Sequence, residues 1–358
     1  MSIQSSSAHD CSYKLTSYKL LGAFTLKNTN KRLLLIITPL VFTACSSGSN
    51  NSSNVTQNSL ITVPTFNYQP GNKTAVMVSI GNGAQTVAEI DTGSQITVVN
   101  ENAVGSDIVK TTESMQIVYG AGTNTVSGYL AYGSVQFTTT SGEKLSTAAN
   151  TPIMVVTSGS VNQGGGNNAI LGMRMDNQVS ARLYLPTPYN QMMILNRSES
   201  FIAFGALSTT QLQKFSTINQ QPTFCNNLNV PQTVPNKCWD TMESSVTYTY
   251  SQTGGGSGST SYTTIFDSGE AIGNFYLGSG IPGWMNLDGH SITNQLSAVV
   301  NTNNGQLPLP LTIPMHYTQP ESATSNVVNP GNLLFNTYQI LFNQNNGQIG
   351  FLTASESW

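Results

Sequence analysis

Apolar and polar residues alternate in short runs from about residue 61 to the end of the chain. β-Branched and aromatic residues dominate these runs, and Gly, Asn and Ser separate them, which is typical of short strands joined by turns. The clearest runs are TAVMVSIG (74–81), TVAEID (86–91), SMQIVYG (114–120), GYLAYGSVQF (128–137), PIMVVTS (152–158) and SFIAFG (200–205). The pattern therefore predicts an all-β protein.

Helical periodicity is weak, and its best examples are MDNQVSARLY (175–184) and LSTTQLQKF (207–215). After residue 243 the strand pattern resumes as SSVTYTYS, a GGGSGST run and YTTIFD. We interpret the glycine–serine run as a hairpin tip or a flexible loop. An interdomain linker is the weaker alternative, because strand-like sequence borders the run on both sides.

The amino-terminal 60 residues have a different pattern. Lys31-Arg32 precede the apolar run LLLIITPLVFTA and Cys45, which resembles a bacterial lipoprotein signal peptide. Those 12 residues are too few to span a bilayer as a permanent helix. The resemblance implies cleavage before Cys45 and lipidation of its thiol; an ordinary signal peptide with an incidental cysteine is the alternative.

The polar segment that follows Cys45 suits a flexible tether. Ser46 at the next position, where Asp is the alternative, resembles lipoproteins that are sorted to an outer membrane. We therefore expect residues 1–44 to be a signal peptide, residues 45–60 a tether, and the protein to lie in the cell envelope as a lipid-anchored form.

Charged residues make up only 8% of the chain, and they are unevenly distributed. Five of the 13 basic residues but one of the 16 acidic residues precede Cys45, so the remainder carries a net charge of −7. An acidic body without a basic stripe argues against nucleic-acid binding.

Two cysteines remain after residue 45, namely Cys225 and Cys238. In an oxidising compartment they plausibly form one disulfide that closes a short loop. We expect no metal site, because His290 and His316 lie apart in sequence from any cluster of Cys or acidic residues.

One short pattern occurs twice, as EIDTGSQI (89–96) and IFDSGEAI (265–272). Each copy has an apolar residue, Asp, Thr or Ser, and Gly at the end of a strand-like run. The two aspartates, Asp91 and Asp267, are 176 residues apart, a plausible separation for two similar lobes. A single copy could be an ordinary turn, but two copies indicate a carboxylate pair that shares one proton and activates a water molecule.

Six segments in this order resemble the pepsin family of aspartic peptidases over nearly the whole chain after residue 60. They are Asp91-Thr92-Gly93-Ser94 and Asp267-Ser268-Gly269 for the catalytic loops, Tyr119-Gly120-Ala121-Gly122 for the flap, Ala169-Ile170-Leu171-Gly172 for the segment beneath the first loop, Phe201–Gly205 for the strand that ends the first lobe, and residues 329–351 for the carboxy-terminal stretch.

The resemblance implies a bilobal double barrel with an active-site cleft between two similar lobes, residues 61–206 and 207–358. It implies catalysis by Asp91 and Asp267 without a cofactor, and it implies peptide or protein substrates, apolar side-chain preference, an acidic optimum and a monomer. The implied supporting residues are Thr92, Gly93, Ser94, Ser268, Gly269 and Glu270, and the implied flap residues are Tyr119, Gly120 and Gly122. Tyr119 could also be an ordinary cross-strand aromatic residue.

The sequence departs from the family pattern at several positions. Glu270 replaces the Ser or Thr that usually hydrogen-bonds the second carboxylate, Val98-Val99-Asn100 stands where a Trp is usual, and AIGNFYL (271–277) matches poorly. An endopeptidase is the first hypothesis, and a catalytically silent lipoprotein that binds peptides or serves envelope assembly is the second. A serine or cysteine hydrolase is a poor third, because no Gly-x-Ser-x-Gly stretch is present.

Overall fold

The structure is a computed structural model that describes residues 59–68, 73–119, 124–161, 166–176, 178–225, 237–241, 244–252, 254–319 and 326–358. The predicted signal peptide (1–44), Cys45, nearly all of the tether, and the flap residues Gly120 and Gly122 lie outside these ranges.

Nearly all of the regular secondary structure in the described chain is β-strand, as the alternating pattern predicts. The strands up to residue 206 are β1 (Ser59–Pro64), β2 (Phe66–Tyr68), β3 (Lys73–Ile80), β4 (Thr86–Asp91), β5 (Thr97–Asn100), β6 (Val109–Tyr119), β7 (Asn124–Tyr132), β8 (Val135–Thr138), β9 (Lys144–Ser146), β10 (Pro152–Ser158), β11 (Ala169–Gly172), β12 (Met192–Asn196) and β13 (Phe201–Ala206).

The strands after residue 206 are β14 (Ser216–Asn219), β15 (Gln221–Thr223), β16 (Cys238–Asp240), β17 (Ser244–Ser251), β18 (Ser257–Thr264), β19 (Asn274–Leu277), β20 (Leu287–Asp288), β21 (Ser291–Ile292), β22 (Leu296–Thr302), β23 (Gly305–Leu309), β24 (His316–Thr318), β25 (Asn326–Asn329), β26 (Tyr338–Asn343) and β27 (Gln348–Thr353). The predicted lobe boundary after residue 206 falls between β13 and β14.

Two large sheets repeat one strand order. The first sheet runs β6-β7-β10-β5-β11-β4-β3-β8-β9, and the second runs β20-β21-β24-β19-β25-β18-β17-β22-β23. In the first sheet β4 pairs parallel with β11 and β5 parallel with β10; in the second, β18 pairs parallel with β25 and β19 parallel with β24. The repeated motif in the sequence thus belongs to two sheets of the same topology.

A third sheet joins the two halves of the chain. Its order is β1-β13-β12-β26-β27-β14, so strands from before and after residue 206 lie side by side. The joint is the antiparallel pair β12–β26, with Met192 opposite Asn343 and Leu195 opposite Ile340. One continuous core contains buried apolar residues from all three sheets, and smaller separate clusters cover further residues of the first and third sheets.

The chain changes partners inside one predicted strand. Residues 128–137 divide into β7 and β8 around Gly133, because β7 pairs with β6 and β10 whereas β8 pairs with β3 and β9. The glycine–serine run begins at the tip of the β17–β18 hairpin, as predicted, but its second half, Ser257–Thr260, belongs to β18, where Ser257 is opposite Ser251.

Helical structure is shorter than the sequence predicts. The described helices are α1 (Thr209–Leu212), α2 (Leu334–Thr337) and two 3-10 turns, Glu101–Ala103 and Ala181–Tyr184. Of the segment 175–184, only Ala181–Tyr184 forms a turn of helix, and the described residues of the segment are buried. No helix in the described ranges is long and apolar enough to cross a membrane.

Cys225 and Cys238 are joined by a disulfide with their Cα atoms 5.3 Å apart. The bond lies beside the short β15–β16 pair, in which Thr223 is opposite Cys238. Trp239, the next residue, donates from its indole nitrogen to the Gln344 carbonyl at 2.6 Å, so this pair is attached to the third sheet.

Candidate active site

The two Asp-containing loops lie against each other and exchange four hydrogen bonds. The Thr92 hydroxyl donates to the Phe266 carbonyl at 2.7 Å and accepts from the Ser268 amide at 2.9 Å. The Ser268 hydroxyl donates to the Ile90 carbonyl at 2.7 Å and accepts from the Thr92 amide at 3.2 Å. Thr92 and Ser268, both nearly inaccessible to solvent, therefore tie the two loops together with approximate two-fold symmetry.

The glycine of each loop touches the carboxyl group of the other loop. A Cβ atom added to Gly93 would lie 2.5 Å from the Asp267 Cγ atom, and one added to Gly269 would lie 2.7 Å from the Asp91 Cγ atom. Side chains essentially never make such short contacts, so glycine is required at both positions. The two carboxyl groups are close enough for a direct hydrogen bond between Asp91 and Asp267.

Asp91 ends β4 and receives three hydrogen bonds from its own loop. The Gly93 and Ser94 amides each donate to Asp91 Oδ1 at 2.8 Å, and the Ser94 hydroxyl donates to Oδ2 at 2.5 Å. Donors that converge on a carboxylate stabilise its charged form. Beneath this loop Gly172 packs so closely that an added Cβ would lie 2.6 Å from the Ile96 amide nitrogen.

Asp267 has a different surrounding. It accepts from the Gly269 amide at 2.7 Å and from the Asn329 side-chain amide at 3.0 Å. Burial, followed by the charges of Asp91 and Glu270, raises the pKa of Asp267 well above its ordinary value. The two acids therefore have unequal surroundings: three donors of its own loop converge on Asp91, whereas Asp267 receives one donor from its own loop and one from Asn329.

A solved structure with this arrangement of sheets is known. The crystal structure of the aspartic proteinase from Irpex lacteus matches with a TM-score of 0.53 and 13% sequence identity, over 83% of this chain and 98% of that chain. The fold is pepsin-like. No known protein-family profile matches the chain, and no curated protein matches it in sequence.

Asn329 is one residue of this candidate site that the sequence analysis missed. It ends β25, and its orientation is fixed because its carbonyl oxygen accepts from the Gly331 amide at 3.0 Å while its nitrogen reaches Asp267. Asn329 begins the carboxy-terminal stretch that resembles the pepsin family (residues 329–351). Nothing in the sequence, however, indicates that its side-chain amide donates to Asp267 in place of the Ser or Thr hydroxyl that is usual at position 270.

Glu270 does not take the place of that hydroxyl. Its carboxylate accepts from the Tyr276 hydroxyl at 3.0 Å, and Asn329 supplies the donor to Asp267 instead. Burial raises the pKa of Glu270, which the Tyr276 hydrogen bond and the charge of Lys73 counteract. Glu270 therefore acts on Asp267 through its charge, which raises the pKa of Asp267.

A second acid, Glu89, adjoins the first loop. Its side chain is 2% exposed, pairs with the Lys73 ammonium at 2.8 Å and accepts a short 2.5 Å hydrogen bond from the Tyr68 hydroxyl. Burial raises the pKa of Glu89, the Lys73 charge lowers it, and the Asp91 charge raises it again. The available signal was an acid inside an otherwise apolar strand, TVAEID.

Tyr119 lies at the end of β6, where the β6–β7 hairpin places it opposite Asn124. Burial and the charge of Asp91 raise the pKa of Tyr119, and the Ser94 hydroxyl lowers it. Asp91 and Ser94 both belong to the first loop, so the phenol of Tyr119 adjoins that loop. Val98, where a Trp was expected, is a fully buried residue of β5.

Among the described residues, no three His, Cys, Asp or Glu side chains are grouped in a way that could hold a metal ion.

Proposed function

We propose that the chain is an aspartic endopeptidase that hydrolyses peptide bonds with a water molecule activated by Asp91 and Asp267. The observation that carries the proposal is the interlocking of the two loops, in which Gly93 and Gly269 each contact the opposite carboxyl group. Two carboxyl groups in hydrogen-bond contact cannot both ionise at low cost, so they hold one proton between them.

The unequal surroundings suggest a role for each acid. Asp91, with three donors from its own loop, serves as the base that takes a proton from water. The resulting hydroxide adds to the substrate carbonyl carbon while the proton of Asp267 passes to the carbonyl oxygen, which gives a neutral diol. Return of the proton from Asp91 to the amide nitrogen breaks the C–N bond, and Asp267 regains its proton as the new carboxyl group forms.

The test is cleavage of a denatured protein by the purified chain between pH 3 and pH 7, with and without pepstatin. We expect Asp91→Asn and Asp267→Asn each to lower kcat/KM by about a thousandfold, since positioned acid–base groups contribute roughly 10²–10⁴. Asp288→Asn, a change at an exposed acid, is the matched control and should retain full activity. Cleavage that survives in both dyad variants would overturn the proposal.

Glu270 favours a second candidate, a pepsin-like protein that binds peptides without cutting them. Its charge raises the pKa of Asp267, and a dyad that holds its proton too tightly is a weak catalyst. Under this alternative, the folded protein would bind extended peptides but leave them intact at every pH. Activity gained in Glu270→Thr would locate the defect at this residue.

We further propose that the chain is a lipid-anchored protein of the cell envelope, attached through Cys45, with the outer membrane as its site. The basic, apolar and small residues before Cys45 and the polar segment after it support this. Radiolabelled palmitate should be incorporated into the wild-type chain and not into Cys45→Ala. Labelling of the variant would exclude this anchor.

A further inference from the structure

A row of four side chains crosses three neighbouring strands beside the dyad. Tyr68 lies opposite Lys73 in the β2–β3 pair. In the β3–β4 pair Ala75 lies opposite Glu89, and the same antiparallel register extended by two residues places Lys73 opposite Asp91. Since side chains two residues apart share a face of a strand, Tyr68, Lys73, Glu89 and Asp91 all lie on one face of the sheet.

Direct contacts join three of these residues, which we call the Lys73 cluster (Tyr68, Lys73 and Glu89). The Lys73 ammonium is 2.8 Å from one Glu89 oxygen, and the Tyr68 hydroxyl donates to the other. The side chains of Lys73 and Glu89 are only 12% and 2% exposed. Solvent and salt therefore screen this pair far less than they screen a surface pair.

The charge of Lys73 extends across both loops. Burial lowers the pKa of Lys73, but the charges of Glu89, Asp91 and Asp267 outweigh burial and raise it. Because the interaction between two charges is mutual, the ammonium favours the ionised forms of these carboxyl groups in return. It also lowers the pKa of Glu270 in the opposite lobe.

The other charged and titratable groups around the cluster are identifiable. Tyr119 at the end of β6 responds to the charges of Asp91 and Glu89, and Tyr276 is hydrogen-bonded to Glu270. Arg197 donates to Asn67, the neighbour of Tyr68, at 2.9 Å. Arg174 approaches the Gly93 carbonyl at 3.5 Å but is ion-paired with Asp176 at 2.9 Å. Lys73 is thus the cation placed in the row that contains Asp91.

We propose that the Lys73 cluster is a positioning unit that sets the pH range in which the dyad works, an inference that rests on the proposed peptidase function. Lys73 and Glu89 together add no net charge beside Asp91. Although Glu89 lies only two residues before Asp91, it therefore does not act as a third negative charge on the dyad. If either Lys73 or Glu89 is replaced by a neutral residue, the other becomes an unopposed charge next to the dyad.

The decisive variant is Glu89→Gln in the full chain. Its amide oxygen can still accept from Tyr68, but the Lys73 ammonium is no longer neutralised and favours the ionised dyad. Both limbs of the pH profile of kcat/KM should move to lower pH by about one unit, a tenfold change in rate on each limb. Addition of Lys73→Met should bring the limbs back to within about 0.3 unit of the wild type.

Two controls separate charge from structure. Lys73→Arg keeps the positive charge and should keep the wild-type limbs. Lys110→Met with Glu101→Gln removes the exposed ion pair of 3.5 Å, whose side chains are 61% and 53% exposed, and should move neither limb. If the cluster had only a structural role, the double variant Glu89→Gln/Lys73→Met would be less active than Glu89→Gln alone. Neither limb of the pH profile would then move in either variant.

A second measurement does not depend on turnover. In protein labelled with 13C at the aspartate carboxyl carbons, the titration midpoint of the dyad should move to lower pH in Glu89→Gln and return in the double variant. Unchanged midpoints and limbs would overturn the inference while cleavage by the wild type would leave the proposed function intact. Shifted midpoints in a protein that cleaves nothing would support the cluster and refute the peptidase proposal.

Discussion

The two Asp-containing loops are similar in backbone and different in the side chains that surround their acids. Each loop gives one hydroxyl to the other loop's carbonyl and one glycine to the other loop's carboxyl group. At the third position after the aspartate, however, the first loop has Ser94 and the second has Glu270. The shared features hold the dyad together, and the unshared ones distinguish its two members.

The difference shows how a lost donor can be supplied from elsewhere. The Ser94 hydroxyl donates to Asp91 from within its own loop, whereas Asp267 receives its side-chain donor from Asn329 at the end of β25. Each loop also adjoins an additional acid that accepts from a tyrosine, Glu89 from Tyr68 and Glu270 from Tyr276. Glu89, the acid beside the first loop, is ion-paired with Lys73. Because this pair neutralises the charge of Glu89, the first loop is the more favourable environment for an ionised carboxylate.

The largest expected effect tests what the loops share. Gly93→Ala and Gly269→Ala should each lower kcat/KM by about a hundredfold or more, because the new methyl group displaces the opposite carboxyl group by about 1 Å. Gly283→Ala, at a position with no atom within 4 Å of the added carbon, is the control and should be fully active. The measurement is steady-state kinetics with one peptide substrate. Wild-type kcat/KM in Gly93→Ala or Gly269→Ala would show that the glycine does not need to contact the opposite carboxyl group.

A smaller effect tests what the loops do not share. Asn329→Leu removes a donor from Asp267, so the pKa of Asp267 should rise further and the alkaline limb of the pH–rate profile should move to higher pH. Ser94→Ala removes a donor from the anionic form of the dyad, so the acid limb should move to higher pH instead. Each shift should change the rate by roughly tenfold on its limb. Equal shifts of both limbs in both variants would contradict the unequal roles.

The smallest effect concerns stability. Burial and the charges of Asp91 and Glu270 raise the pKa of Asp267 well above its ordinary value. Such a group stabilises the folded state fully below its ordinary pKa near 4, and this stabilisation is lost as the pH rises through the folded-state pKa. The melting temperature should therefore fall between pH 4 and pH 7 by roughly 3–6 °C.

Asp267→Asn should make this melting profile flatter, because an amide does not titrate. Differential scanning calorimetry at several pH values tests both expectations. A melting temperature that rises from pH 4 to pH 7 would show that Asp267 is not held in its protonated form.

Much of the fold was predictable because its strands carry their own pattern. The runs 86–91 and 152–158 are strands with the predicted bounds, and the β17–β18 hairpin follows from its glycine-rich turn. The predicted helix at 175–184 was wrong for most of its length, since only Ala181–Tyr184 forms a helical turn and tertiary context overrides a weak local preference. Periodicity also could not show that Gly133 separates β7 from β8, since partner exchange is not a local property.

The sequence by itself determined the two Asp-Thr/Ser-Gly motifs, their spacing and the all-β pattern, because these depend on residue type and local order. Only the tertiary structure decided which side chains surround each acid. Asn329 lies 62 residues from Asp267, and Lys73 lies 16 residues from Glu89, so strand register alone brings them together. The charge on a carboxyl group depends on neighbours within a few ångströms, and the chain order does not specify those neighbours.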